Sequence, residues 1–129
     1  MTIRLIALAV VCLMTVPAMA EQAKVTTLMS KDVPESPGKE MLMIIVEHGP
    51  GGSSPVHRHN AHAMVYMLEG SAVMQLKGGK EVTLTPGQTF YEGPDDIHVV
   101  DRNPSKTKPA KFLVVLIKDK AAPALIPVK

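Results

Sequence analysis

The sequence predicts an all-β domain, on the evidence of its turn residues, its apolar runs and the spacing between them. Eleven prolines and nine glycines in 129 residues interrupt the chain too often for long helices. Two continuous apolar runs, residues 41–46 and 112–117, have the length and the β-branched content of buried strands. Shorter strand-like segments with turn signals recur between them, about every eight to twelve residues, which is typical of a sandwich or a barrel.

The N-terminal segment has the pattern of a secretory signal peptide over residues 1–20. Its apolar run, residues 5–16, is too short to span a bilayer. Pro17 ends that run, and a small-x-small cleavage site follows it. We therefore expect cleavage after Ala20 and a periplasmic or secreted mature chain, residues 21–129, with no remaining membrane segment. A retained N-terminal anchor is the alternative.

The mature chain divides into strands at its turn residues. Residues 25–29 form a candidate edge strand, and a proline-containing loop separates them from the apolar run 41–46. Gly78 and Gly79 mark a two-residue hairpin turn. The remaining predicted strands cover residues 63–68, 72–77, 80–85, 89–92, 97–101 and 111–118.

Composition and charge exclude several classes of protein. A hydrophobic content of 46% excludes intrinsic disorder. The net charge is +2 and no run of like charges occurs, so nothing indicates a nucleic-acid partner. The single cysteine, Cys12, lies in the predicted signal peptide, so no disulfide holds the mature chain. We find no phosphate-binding loop, dinucleotide fingerprint or nucleophile elbow.

The histidines carry the chemistry that the sequence indicates. His57 and His59 are two residues apart, so in a strand they point to the same face and can bind one divalent metal. A third ligand must come from another strand, and His98, which follows a predicted turn, is the candidate. Imidazole suits Zn, Cu, Fe and Ni, and also Mn when oxygen ligands accompany it. The alternative is that these histidines lie in exposed loops and bind nothing.

The spacing of these residues resembles that of a small single-domain cupin. The first cupin motif is G-x5-H-x-H-x3,4-E-x6-G, and its matching residues here are Gly51, His57, His59 and Gly70. In the second motif, Gly87 and His98 match in spacing, and the two motifs together cover residues 51–103. The resemblance implies a jelly-roll β-barrel within residues 21–129, with its core at about residues 41–118. It carries over His57, His59 and His98 as metal ligands.

One departure from the motif concerns the metal site. The glutamate of the first motif falls at position 63, where this chain has Ala63. Neighbouring His62 is a candidate fourth ligand, but strand parity points it away from His57 and His59 unless a bulge re-aims it. We expect a glutamate restored at position 63 to tighten the binding of Mn or Fe, since both prefer a hard oxygen donor.

The sequence therefore predicts an exported cupin that binds one divalent transition metal (Mn, Fe, Zn, Ni or Cu) and a small-molecule ligand. Three histidine ligands leave coordination positions open, which is what a substrate needs. A small metal-dependent enzyme of dioxygenase, isomerase or decarboxylase type is the first alternative, and a metal-free ligand-binding cupin is the second. Glu92, Tyr91 and Gln88 are candidates for the lining of the barrel mouth, and His48 is assigned to the surface. A homodimer is expected to cover the outer faces of the two apolar strands.

Overall fold

The computed structural model describes residues 21–129, and the predicted signal peptide lies outside them. Within these residues the chain forms ten β-strands and no helix. The strands are β1 (Lys24–Asp32), β2 (Lys39–His48), β3 (His57–Arg58), β4 (His62–Glu69), β5 (Ala72–Leu76), β6 (Val82–Leu84), β7 (Thr89–Glu92), β8 (His98–Arg102), β9 (Ala110–Asp119) and β10 (Ile126–Pro127). Residues 21–129 contain no helix long and apolar enough to cross a membrane.

The strands form two five-stranded antiparallel sheets. The first sheet has the order β1-β2-β9-β4-β7 and the second the order β10-β3-β8-β5-β6. The backbone hydrogen-bond ladders run within each sheet, so two separate sheets form the domain instead of one closed ladder. Residues from both sheets form one apolar core, which includes Ile44, Val65, Met67, Met74 and Leu116. The predicted all-β jelly-roll fold is confirmed.

Both apolar runs form strands near the middle of the first sheet, as predicted. β2 and β9 pair along their whole length, from Lys39 opposite Asp119 to His48 opposite Ala110. Alternate side chains of β9 are buried, while those of the opposite face are half-buried or exposed. The core therefore covers one face of the two strands and leaves the outer face in contact with solvent.

The expected two-residue turn at Gly78 and Gly79 is wrong. β5 ends at Leu76 and β6 begins at Val82, so five residues connect them. The chain turns one residue earlier, because the Gly79 amide donates a hydrogen bond to the Leu76 carbonyl at 2.9 Å across Lys77 and Gly78. Gly78, with a φ of 81°, then reverses the chain.

Candidate metal centre

The structure brings His57, His59 and His98 together on the inner face of the second sheet. His57 on β3 pairs directly with His98 on β8, and their ring centroids are 4.9 Å apart. His59 lies two residues after His57, and its ring centroid is 4.9 Å from that of His57. All three side chains are buried, whereas the intervening Arg58 is exposed. This alternation is the parity that a strand imposes.

Hydrogen bonds fix the tautomers of two of these histidines. The Nδ1 atom of His57 donates to the Pro55 carbonyl at 2.7 Å, and the Nδ1 atom of His59 donates to the Ala124 carbonyl. A carbonyl can only accept, so the proton of each neutral ring is on Nδ1 and the Nε2 lone pair is free. A backbone carbonyl that orients a histidine in this way is a common outer partner of a metal ligand.

Glu92 is the site residue that sequence reasoning assigned elsewhere. Its Oε2 atom lies 3.3 Å from Nε2 of His59 and 3.1 Å from Nδ1 of His98. The pairing of β4 with β7 sets Glu92 directly opposite Ala63, the position where the cupin motif has its glutamate. The carboxylate is thus present in the site, supplied from the neighbouring strand. Glu92 is buried and lines the cavity of the site.

Alternation along β7 could have indicated that the Glu92 side chain points inward. Along β7, Phe90 is half-buried and Glu92 is buried, whereas Thr89 and Tyr91 are exposed. An acidic residue that shares the inward face of a strand with a phenylalanine needs a partner inside the domain, because a buried unpaired charge is costly. The register that places it opposite Ala63 becomes known only when the strands are paired.

Two overlapping sets of donor atoms are close enough together to hold a metal ion: His57, His59 and Glu92 form one set, and His57, His98 and Asp101 form the other. Within residues 21–129, Oε2 of Glu92 and both ring nitrogens of His98 are buried and have no hydrogen-bond partner. Buried polar atoms are normally paired, so three such atoms in one place require an explanation. Ligand atoms about 2.1 Å from one ion lie roughly 3–3.5 Å from each other, which matches the two distances from Glu92. One ligand atom each from His57, His59 and Glu92 also lie within 4.8 Å of one another.

The electrostatics of the cluster favour the ligating forms of Glu92 and His57, but not that of His59. Burial raises the pKa of Glu92, but the close approach and the charge of His59 and His98 outweigh it and lower the pKa from 4.5 to about 2. Burial lowers the pKa of His57, and the neighbouring histidines add to that effect. Burial also lowers the pKa of His59, but Glu92 reverses this and leaves it raised. An ionised carboxylate and a neutral imidazole are the forms that bind metal.

This arrangement predicts how the metal-free protein responds to acid. Because Glu92 has a lower pKa in the folded state than its ordinary 4.5, its contribution is complete above pH 4.5 and is lost as the pH falls towards 2. The free energy of unfolding should fall by a few kcal/mol over that interval. The measurement is urea unfolding of chelator-treated protein, with Glu92→Gln as the comparison. If the free energy of unfolding depends on pH in the same way in both proteins, the lowered pKa of Glu92 is contradicted.

His62 lies on the opposite face from the cluster. It is exposed, and its Nδ1 atom is 2.6 Å from the Tyr91 hydroxyl. β4 continues through His62 and Ala63 without a bulge at this point. The structure therefore places His62 on the outside of the first sheet, away from the other histidines.

The expected surface position of His48 is wrong. β2 continues past the predicted end at residue 46, so Ile44, Val46 and His48 share the inward face of one strand. The His48 side chain is fully buried, and its Nε2 atom lies 3.1 Å from Oδ1 of Asp101. One ligand atom each from Asp101, His57 and His98 also lie within 4.8 Å of one another.

A cavity of about 370 Å³ adjoins the cluster. Its polar lining includes His57, His59, His98, Glu92 and Asp101, and most of the remaining wall is apolar. The C-terminal segment forms part of the wall through Ala124, Leu125 and Pro127. β10 in this segment pairs with β3, so residues beyond the predicted barrel core help to close the site. Such a volume and lining suit a small, largely apolar ligand with a few polar groups.

Solved structures that share this fold include a lyase, a cyclase and an oxidase. The DMSP lyase DddQ from Ruegeria pomeroyi is 22% identical, with a TM-score of 0.59 over 68% of this chain and 43% of that chain. The polyketide cyclase RemF from Streptomyces resistomycificus is 24% identical, with a TM-score of 0.64 over 85% of this chain and 73% of that chain. An oxalate oxidase in complex with the substrate analogue glycolate is 25% identical, with a TM-score of 0.62 over 82% of this chain and 55% of that chain. This chain thus spans less than half the length of the lyase and about half that of the oxidase.

The sequence comparison assigns the family. No curated protein matches this sequence. The family model for the cupin domain matches residues 44–116, which is more than half of the chain. The matched stretch contains all three clustered histidines and Glu92. The chain therefore belongs to the cupin domain family.

Proposed function

We propose that this chain is an exported cupin that binds one divalent transition metal through His57, His59, His98 and Glu92, with a small-molecule ligand in the adjoining cavity. One observation carries the proposal: buried nitrogen atoms and a carboxylate oxygen converge without mutual hydrogen bonds, and backbone carbonyls hold two of the rings in the ligating tautomer. Export rests on the signal-peptide pattern of residues 1–20.

The donor set narrows the choice of metal. Three imidazoles suit Zn, Cu, Fe or Ni, and the carboxylate adds a hard oxygen donor that also suits Mn. Four protein ligands would leave open positions on a metal that accepts five or six, and all four residues line the cavity. A small molecule that enters the cavity can therefore reach the metal.

A metal-dependent enzyme of dioxygenase, isomerase or decarboxylase type is the second candidate. The observation that favours it is the fold shared with an oxalate oxidase, whose structure contains the substrate analogue glycolate, and with a DMSP lyase. These proteins place small-molecule chemistry on the same fold. Fold alone does not assign an activity, so the binding function is the primary proposal.

The experiment is metal binding by the untagged mature chain, residues 21–129. Chelator-treated protein is titrated with Mn, Fe, Zn, Ni and Cu in turn, and stoichiometry is measured after dialysis. We expect one ion per chain for at least one metal, with His62→Ala binding as tightly as the wild type. Failure to retain any of the five metals would refute the proposal and favour the metal-free ligand-binding alternative.

We also propose that two copies associate through the outward face of the first sheet. That face carries exposed large apolar side chains on four neighbouring strands, namely Met41, Met64, Tyr66, Leu68, Tyr91 and Ile117. Monomers rarely leave a contiguous apolar patch of more than a few hundred Å² in water. A second copy presents the same patch and can cover it by a two-fold contact.

Changing the centre of this patch should separate the dimer. Met64 pairs with Val115 on β9 and with Tyr91 on β7, so a charge there faces the partner. We expect Met64→Lys to sediment as a monomer at concentrations where the wild type is a dimer. Val82→Lys, at an exposed apolar residue of the second sheet, is the matched control. A monomeric wild type at about 50 µM would contradict the interface, since an obligate dimer has a far lower Kd.

A further inference from the structure

Asp101 is a second buried carboxylate of the site, and an irregularity in β8 directs it inward. The ladder between β5 and β8 shifts register between Gln75 and Leu76, which leaves Val99 unpaired. His98 and Asp101, three residues apart, are consequently both buried, although regular alternation would send one of them outward. Bulges near functional sites re-aim side chains in this way.

His48 contacts the Asp101 carboxylate and does not itself line the cavity. The Nε2 atom of His48 lies 3.1 Å from Oδ1 of Asp101, and the His48 ring is fully buried beside Phe112, with centroids 5.8 Å apart. Asn103 fixes this end of β2, because its Nδ2 atom donates to the Gly49 carbonyl at 3.0 Å. Asp101 lines the cavity and His48 does not, so the carboxylate stands between a rigid support and the ligand space.

Asp101 is ionised and can still accept hydrogen bonds. Burial raises its pKa, but hydrogen bonds from His48 and Ser54 and the charge of His48 outweigh this, so the pKa is lowered. A carboxylate offers about four lone-pair sites, and the contact with Nε2 of His48 uses one of them. The neighbouring cavity wall is largely apolar, from Ile44, Val46 and other side chains. An acceptor in such a wall strongly favours a ligand that brings a donor, because any other ligand leaves the charge desolvated and unpaired.

We propose that Asp101 determines ligand specificity by accepting a hydrogen bond from a hydroxyl group of the small molecule in the cavity. Its carboxylate lies close to the histidine cluster, since its ligand atom and those of His57 and His98 are within 4.8 Å of one another. The preferred ligand therefore carries its hydroxyl next to the group that approaches the metal, as in a 2-hydroxy acid. The expectation that one end of this ligand binds the metal rests on the proposed function, whereas the contact with Asp101 does not.

The test compares ligands that differ by one hydroxyl group. With metal-loaded protein the pair is lactate and propionate, measured by calorimetry. With chelator-treated protein the pair is benzyl alcohol and toluene, measured by chemical-shift perturbation. We expect the hydroxylated member to bind about 10- to 100-fold more tightly in either form. Asp101→Asn, which keeps the shape and removes the charge, should reduce that ratio about tenfold, while Asp95→Asn, at an exposed turn residue, should leave it unchanged.

The two proposals fail in different ways. Suppose that the protein binds metal but the wild type does not prefer the hydroxylated ligand, or that Asp101→Asn shows the same preference as the wild type. Either result overturns the role of Asp101 and does not affect the metal site. A hydroxyl preference in chelator-treated protein that depends on Asp101, with no metal retained, supports Asp101 and overturns the metal proposal. In chelator-treated protein, a wild-type ratio near one overturns the role of Asp101 without the variant. The metal-loaded pair needs Asp101→Asn for its interpretation, because a metal can bind the lactate hydroxyl group itself.

Discussion

Replacing Glu92 by alanine should weaken metal binding by roughly 10- to 100-fold, and adding Ala63→Glu to that variant should recover most of the loss. The two positions face each other across the β4–β7 pair, and both side chains point inward. Directly opposed Cβ atoms in an antiparallel pair lie about 4.5–5.5 Å apart, so a glutamate at 63 can extend into the space that Glu92 vacates. Calorimetric titration of the single and double variants measures both steps.

The single variant Ala63→Glu is the matched control. Position 63 is fully buried and the site already holds a carboxylate. A second carboxylate there would be crowded and would be repelled by the charge of Glu92. We now expect this variant to bind Mn or Fe no more tightly than the wild type, which revises the expectation from the sequence. If Glu92→Ala binds metal as well as the wild type, or if the double variant binds no better than Glu92→Ala, Glu92 is not a ligand.

His98→Ala should reduce metal affinity by about 100-fold or more, the largest effect of any single change in the chain. His98 joins the two parts of the cluster: it pairs with His57 across β3 and β8, and its Nδ1 atom is 3.1 Å from Oε2 of Glu92. Neither of its ring nitrogens has a hydrogen-bond partner within the described residues, so the imidazole is available to a metal ion. Competition with a chromophoric chelator measures the change.

His62→Ala is the comparison for His98→Ala, because it also removes an imidazole from the chain but on the outer face of the first sheet. It should lower metal affinity by less than about twofold. A strong dependence on His62 together with a weak dependence on His98 would mean that the third ligand has been assigned wrongly.

Strand parity explains why much of this site could be predicted from the sequence. His57 and His59 share a face because they are two residues apart, and His62 falls on the other face by the same rule. Both relations depend only on local geometry. The apolar runs that became β2 and β9 were predictable from their short length, their β-branched content and the turn residues near them.

The features that were not predicted depend on pairing between distant strands. Glu92 reaches the cluster because β4 pairs with β7 in one register, and Ala124 orients His59 because β10 returns to pair with β3. His48 is buried because β2 runs two residues beyond its apolar stretch. The bulge between His98 and Asp101 is likewise set by pairing with the neighbouring strand, and no residue in that segment predicts it.

The most direct test of the metal centre is a crystal structure of the metal-loaded mature chain with anomalous data collected at the absorption edge of the bound metal. We predict one anomalous peak per chain inside the domain, about 2.0–2.2 Å from a nitrogen of each of His57, His59 and His98 and from a carboxylate oxygen of Glu92. A peak at the outer face beside His62, or the absence of any peak among these four residues, would contradict the account.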